Sequence, residues 1–189
     1  MVQRQSNTSK LVFTALLTAL VFASNYVSFP VGPSRIHIAN AVCLLSGMLL
    51  GPINGGVAAG LGSALFDLTF PAYAAEWWIT FINKAAMAIV CGWLVHRKAE
   101  DSKKWAYFSC SIGAITYIAL YIFKKFIQLR FISSVPIDTI GPTLLASFLA
   151  SIVNGLFAIL VAPLAYHALK PTLEKNGILY KSSKRSPKQ

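Results

Sequence analysis

Leu44-Leu-Ser-Gly-Met-Leu-Leu-Gly-Pro52, then Ile53-Asn54, then Gly55-Gly-Val-Ala-Ala-Gly-Leu-Gly-Ser-Ala-Leu-Phe-Asp67 is the stretch that decides the fold. Its only charged side chain is Asp67, at the far end. Gly51-Pro52 is a strong breaker pair. The stretch therefore reads as two apolar helices, 38–50 and 53–70, the first of them short for a full membrane crossing. Gly56, Gly60 and Ala64 recur every fourth residue, with Gly55, Ala59 and Ser63 beside them. Such rows share a helix face, and small residues there let another helix approach closely in lipid.

The rest of the chain has the same character. Of 189 residues, 56% are hydrophobic and 12% charged, against about 25% charged in average soluble domains. A soluble fold of this size leaves roughly a third of its chain surface wet, too much to hide this apolar content. Soluble enzymes, nucleic-acid-binding domains and disordered tails are excluded on that ground. Further apolar runs predict helices over 11–31, 77–95, 105–123 and 141–169. The first run is too long for a signal-peptide core and has no clear cleavage site. Pro30, Gly32 and Pro33 end it, and Pro71 ends the third helix.

Six spans place both termini on one side. Twelve of the 17 Lys+Arg residues then fall on the terminal side, from Arg4 and Lys10 through Arg97–Lys104 to the tail. Four fall opposite: Arg35, Lys124, Lys125 and Arg130. The net charge of +11 is thus explained by topology, with both termini cytoplasmic under the positive-inside rule. The expected fold is an all-α integral membrane protein of six helices, one domain over 1–189. A basic cytoplasmic tail occupies 171–189.

An ionisable group at membrane depth is costly and marks a site. Two qualify. Asp67 continues the small-residue face of the third helix. Lys84 lies inside the fourth, on a face with Thr80 and Trp77. Either they pair and lock two helices, or they point at a ligand. Tyr73, Glu76, Trp77, Trp78, Thr80 and Asn83 gather around them. Trp77 and Trp78 diverge by about 100° on a helix, so one is expected to face the bundle. Asn40 and Asn154 need hydrogen-bond partners. Tyr117, Tyr121, Lys124, Lys125 and Gln128 stand at the outer end of the fifth helix. The candidate substrate-binding set is therefore Asn40, Asp67, Tyr73, Glu76, Trp77, Trp78, Thr80, Asn83, Lys84, Tyr121 and Asn154. It suits a pocket open to the exterior for a small, flat, polar molecule.

No metalloprotease, P-loop or nucleophile-elbow motif occurs, and His37, His96 and His167 sit in separate segments. No catalytic residue, metal site or cofactor is expected. Cys43, Cys91 and Cys110 are an odd number without metal-like spacing, and read as small buried apolar residues. Ala15, Ala19 and Ala23 make another small-residue row, on the first helix.

The series Arg35-Ile-His-Ile-Ala-Asn40, Leu44–Pro52 and Gly55–Asp67, with Pro71-Ala-Tyr73 and Trp78-Ile-Thr-Phe-Ile-Asn-Lys84, resembles the substrate-binding S components of energy-coupling factor (ECF) vitamin transporters. The likeness covers about residues 10 to 95, in the riboflavin and hydroxymethylpyrimidine branch. It implies a non-catalytic, multi-pass subunit in a prokaryotic plasma membrane that captures a vitamin. A transmembrane coupling subunit and two cytoplasmic ATPases would be its partners, with no nucleic acid involved. It also implies that Ala15, Ala19 and Ala23 contact the coupling subunit, and that segments 31–37 and 71–76 close over the pocket. A hydroxymethylpyrimidine or pyridoxine-type substrate ranks first; Lys84, Arg35 and Lys124 could attract a carboxylate, which makes pantothenate a rival, and riboflavin is a further alternative. An integral membrane enzyme acting on lipid and a homo-oligomeric channel are the competing classes.

Overall fold

The computed structural model describes residues 7–31, 34–97, 102–133 and 135–176. Helix α1 (Asn7–Tyr26) leads into a hairpin of β1 (Ser28–Val31) and β2 (Ser34–His37). Then come α2 (Ala39–Thr69), the short α3 (Pro71–Ala74), α4 (Trp77–Arg97) and α5 (Lys103–Ile127), which ends in a π turn at Gln128–Ile132. Helix α6 (Ile137–Lys175) is last. Among the described residues five helices are long and apolar enough to cross a membrane. Large apolar side chains stand on their outer surfaces, such as Leu16, Ile115 and Leu164, as a lipid solvent permits.

The first helix ends at Tyr26, not at Val31 as hydropathy suggested. Ser24 Oγ and Asn25 Nδ2 both donate to the Val21 carbonyl, each at 2.8 Å, and so compete for the backbone acceptor that would continue the helix. The next residues pair as antiparallel strands, Ser28 with His37 and Val31 with Ser34. Pro30 lacks an N–H, which a two-stranded ribbon with open edges tolerates. The all-helical expectation holds apart from this short hairpin.

The two helices expected on either side of Gly51-Pro52 form one element, α2, sharply broken at Gly51 (φ 79°). That left-handed conformation costs glycine least, and Pro52 then occupies the first turn of the second arm, where its missing N–H is harmless. The arms double back on each other. Ser46 Oγ donates to the Gly55 carbonyl at 3.0 Å, and Cys43 Sγ lies 3.9 Å from Ser63 Oγ. Helix α4 crosses the first arm so closely that a Cβ on Gly47 would stand 2.2 Å from the Ala88 carbonyl oxygen. This makes α2 the heart of the bundle: most of its residues are buried, whereas α1 buries only Leu17, Val21, Ser24 and Asn25.

Around it the core is apolar and sulfur-rich. Leu44, Met48, Met87 and Tyr166 are fully buried. Cys43, Cys91 and Cys110 are buried and free, as expected for apolar packing. Cys110 Sγ sits 3.5 Å from Met48 Sδ and 3.7 Å from Cys91 Sγ.

Helix α6 exceeds its predicted 141–169. It starts at Ile137 and passes Pro142, Pro163 and Pro171 to Lys175. Membrane helices tolerate internal proline where neighbours satisfy the freed groups. Asn176 closes the end by donating its side-chain amide to the Thr172 carbonyl at 2.9 Å. The predicted basic tail is therefore helical up to Lys175, and its part from 177 lies outside the described residues. Helix α5 likewise outruns its predicted end at 123.

Candidate functional site

A polar cavity of about 120 Å³ opens where β2, the second arm of α2, α3, α4, α5 and α6 converge. Eight of the eleven predicted residues line it: Asp67, Tyr73, Glu76, Thr80, Asn83, Lys84, Tyr121 and Asn154. Asn40 stands one layer behind, buried, with its Oδ1 accepting a hydrogen bond from Lys84 Nζ. Trp77 and Trp78 are 44% and 52% exposed. The expectation that one of them turns inward is corrected: both lie at the start of α4, outside the cavity lining, where amphipathic rings suit a membrane interface.

Lys84 is 3% exposed. It bonds Asn40, and its Nζ lies 4.4 Å from the centroid of the Tyr117 ring. The direct Asp67–Lys84 ion pair considered from sequence is not formed. Asp67 instead has the Thr80 hydroxyl beside it. Tyr117 and Tyr121, one turn apart on α5, stack with centroids 5.8 Å apart.

Two inter-helix segments contribute to the cavity wall. The first is β2. Asn154, mid-way along α6, accepts the His37 backbone N–H at 2.9 Å and donates Nδ2 to the Arg35 carbonyl at 2.8 Å. Tyr121 OH meets Ser34 Oγ at 3.1 Å. The Arg35 guanidinium is held between two aromatic faces, 4.9 Å from Phe66 and 4.5 Å from Tyr73. His37 also lines the cavity. Burial, reinforced by the nearby Lys84 and Arg35 cations, holds its imidazole well below the usual histidine range. The second segment is the α3–α4 junction. Glu76 is ion-paired with Lys124 and accepts from Gln128 Nε2 at 2.5 Å. The π turn that opens at Gln128 widens the end of α5 next to this contact.

Sequence reading left several lining residues out of the candidate set: Asn25, Ser34, Arg35, His37 and Ser151. A hairpin carries three of them, and it could not be read from hydropathy. Tyr117, Lys124 and Lys125, placed by sequence at the outer end of the fifth helix, also line the cavity.

A second hollow, of about 630 Å³ and almost wholly apolar, lies between α1 and the second arm of α2. Ala15, Ala19 and Phe22 line one side, and Val57, Leu61 and Leu65 the other. Ala23 is exposed on the same helix but outside this lining. One turn of α2, Leu65–Thr69, borders both spaces. Asp67 faces the cavity, while Leu65 and Thr69 face the groove. Tyr26 spans the top of that turn, meeting Phe66 edge-on at 4.9 Å and Thr69 Oγ1 at 3.2 Å.

No curated protein matches this sequence closely enough to report. A solved structure described as "Structure and mechanism of the S component of a bacterial ECF transporter" shares the fold with a TM-score of 0.71, over 89% of this chain and 99% of that chain. Sequence identity to it is 18%. The family model for the S component of ECF-type riboflavin transporters matches residues 5–171. Nearly the whole chain is covered, so the polar cavity and the bundle around it are those of a member of the ECF-type riboflavin transporter S component family.

Proposed function

We propose that this chain is the high-affinity capture subunit of an ECF-type importer for a water-soluble vitamin or precursor. The observation that carries the reading is the polar, aromatic-walled cavity that β2 and the α3–α4 junction close over. Asp67, Tyr73, Thr80, Asn83, Lys84, Tyr121 and Asn154 bind the substrate, and Glu76 latches the junction. Asn40 acts through Lys84, which it orients. The arms of α2 count as two spans, giving six, with both termini cytoplasmic in a prokaryotic plasma membrane.

In this reading a transmembrane coupling subunit docks in the apolar groove at Ala15 and Ala19, with Ala23 extending the contact. Two cytoplasmic ATPases supply the energy. The modest cavity supports a single flat ring of the hydroxymethylpyrimidine or pyridoxine kind. Riboflavin is the second reading, favoured by the family description.

Thermal stabilisation of the purified chain tests this. The panel is hydroxymethylpyrimidine, pyridoxine, riboflavin, pantothenate, thiamine, folate and biotin. A ligand at 100 times its Kd adds about 2.7 kcal/mol, so a true substrate raises Tm visibly. A flat panel, together with failure to copurify with an ATPase module, refutes the capture role.

A further inference from the structure

The charges around the cavity do not balance. Four cations line it, Arg35, Lys84, Lys124 and Lys125, against two carboxylates, Asp67 and Glu76. Glu76 is taken up by Lys124 and Gln128. Among the described residues neither Arg35 nor Lys84 has a carboxylate within ion-pair reach. Arg35 rests on the faces of Phe66 and Tyr73. Lys84 has a neutral amide oxygen and a ring face. Asp67 stands by Thr80 and acts on both cations only from a distance.

A buried ammonium without a counter-charge is expensive. Cation–π contact and one amide oxygen recover part of that cost. An ammonium also carries three N–H donors. Asn40 takes one and the Tyr117 face a second, which leaves a third for the cavity that Lys84 lines. On the same wall His37 Nδ1 is buried without a hydrogen-bond partner. Arg35 and Lys84 thus have neutral partners in direct contact, and the remaining lining carboxylate, Asp67, forms no ion pair with either.

We infer that the substrate supplies it: the molecule captured here carries an anionic group, a carboxylate or a phosphate ester, which seats against Lys84 and Arg35. The inference rests on the capture role proposed above, and within it replaces the neutral ring ranked first there by a relative that bears an acid group. The ring stacks among Tyr73, Tyr117 and Tyr121, and the anion takes the place of the missing counter-charge.

Matched ligand pairs that differ only in the anionic group provide the test, with binding to the purified full-length chain measured by calorimetry. The phosphate arm compares pyridoxine 5′-phosphate with pyridoxine, hydroxymethylpyrimidine phosphate with its alcohol, and flavin mononucleotide with riboflavin. The carboxylate arm compares nicotinate with nicotinamide, and adds pantothenate. The expected result is one arm in which the anionic member binds at least about tenfold tighter. Lys84→Met should erase that preference while raising the Tm of the ligand-free chain, since a buried unpaired charge is removed. If Lys84→Met does not fold, Asp67→Asn serves: removing the facing carboxylate should tighten anion binding. A tightest ligand with no anionic group overturns the inference and leaves the capture role standing. So does a preference unchanged in both variants. No binding by any ligand, with no copurifying ATPase module, overturns both.

Discussion

The side chain of Asn154 holds the main chain of His37: Oδ1 of the amide accepts the His37 N–H at 2.9 Å. Its Nδ2 meanwhile donates to the carbonyl of Arg35, two residues back. One buried amide on α6 therefore stitches down a strand that lies more than a hundred residues earlier in the sequence. Both groups it satisfies belong to the edge of a two-stranded ribbon, where no further strand is available.

Asn154→Leu removes both of these bonds. Each is worth about 1 kcal/mol net, and more where a buried group is left unsatisfied. The variant should lose about 2 kcal/mol or more of stability. Its ligand dissociation should accelerate more than its association slows, because the closing strand loses its anchor. Stopped-flow binding measured beside a melting curve checks both effects. An unchanged dissociation rate in a destabilised variant would mean that the strand does not gate release.

The Glu76–Lys124 pair should act in the same direction. Its side chains retain only 24% and 16% of their exposure, so solvent screens the pair little. Lys124→Met leaves the Glu76 carboxylate with Gln128 alone and should cost about 1–3 kcal/mol in stability. Limited proteolysis of the α3–α4 junction should nevertheless speed up, and added ligand should restore protection in the wild type more fully than in the variant.

Ala15→Trp with Ala19→Trp fills the apolar groove. Both alanines are exposed on α1, so the folded chain accommodates the new rings. Vitamin binding should persist, while copurification with a coupling subunit and cellular uptake should be lost. Intact uptake in the double variant would refute docking at this face.

Gly47→Ala should be far more harmful than its size suggests. The added methyl meets the Ala88 carbonyl oxygen at 2.2 Å, and backbone cannot rotate out of the way. Overpacking of this kind costs about 1–3 kcal/mol. Gly141→Ala is the control, with nothing within 4 Å of the new Cβ, and it should be neutral or slightly stabilising. Equal melting temperatures for the two would contradict the tight crossing of α4 over α2.

The pH dependence of folding should carry the signature of His37. Its imidazole is kept neutral in the folded chain, below the ordinary value of 6.5. Below that value the unfolded chain takes up a proton that the folded chain resists, so stability falls as pH drops from about 6.5. Tm measured between pH 7.5 and pH 5 should decline in the wild type and decline less in His37→Gln.

Long apolar runs and breaker pairs were readable because each records a local demand. Gly51-Pro52 announces its turn, and intramembrane Asp67 and Lys84 announce the cavity. Charges at membrane depth need a reason, and here the cavity supplies it. The hairpin was not readable. Ser28-Phe-Pro-Val31 continues the hydropathy of α1, and only the Ser24 and Asn25 side chains, bonding back to Val21, end the helix. The family resemblance placed segment 31–37 at the pocket, and the charge of Arg35 marked it as an anion attractor; the strand that turns Arg35 and His37 inward, held by an amide on α6, was not legible. Trp77 and Trp78 misled for the opposite reason. Composition placed aromatic rings near the site, but helix phase turned both toward the outside.

The turn Leu65–Thr69 has one face on the cavity and one on the groove. A rigid helical turn does not move one face without the other. Any coupling free energy that passes through it is reciprocal. If a filled cavity tightens what binds the groove by some factor, occupation of the groove tightens the ligand by the same factor. If it loosens one, it loosens the other. In the first case release of cargo from a docked chain needs work from elsewhere in proportion to the logarithm of that factor, and in the second docking itself favours release; ligand affinity measured with and without the docked partner gives both the sign and the size.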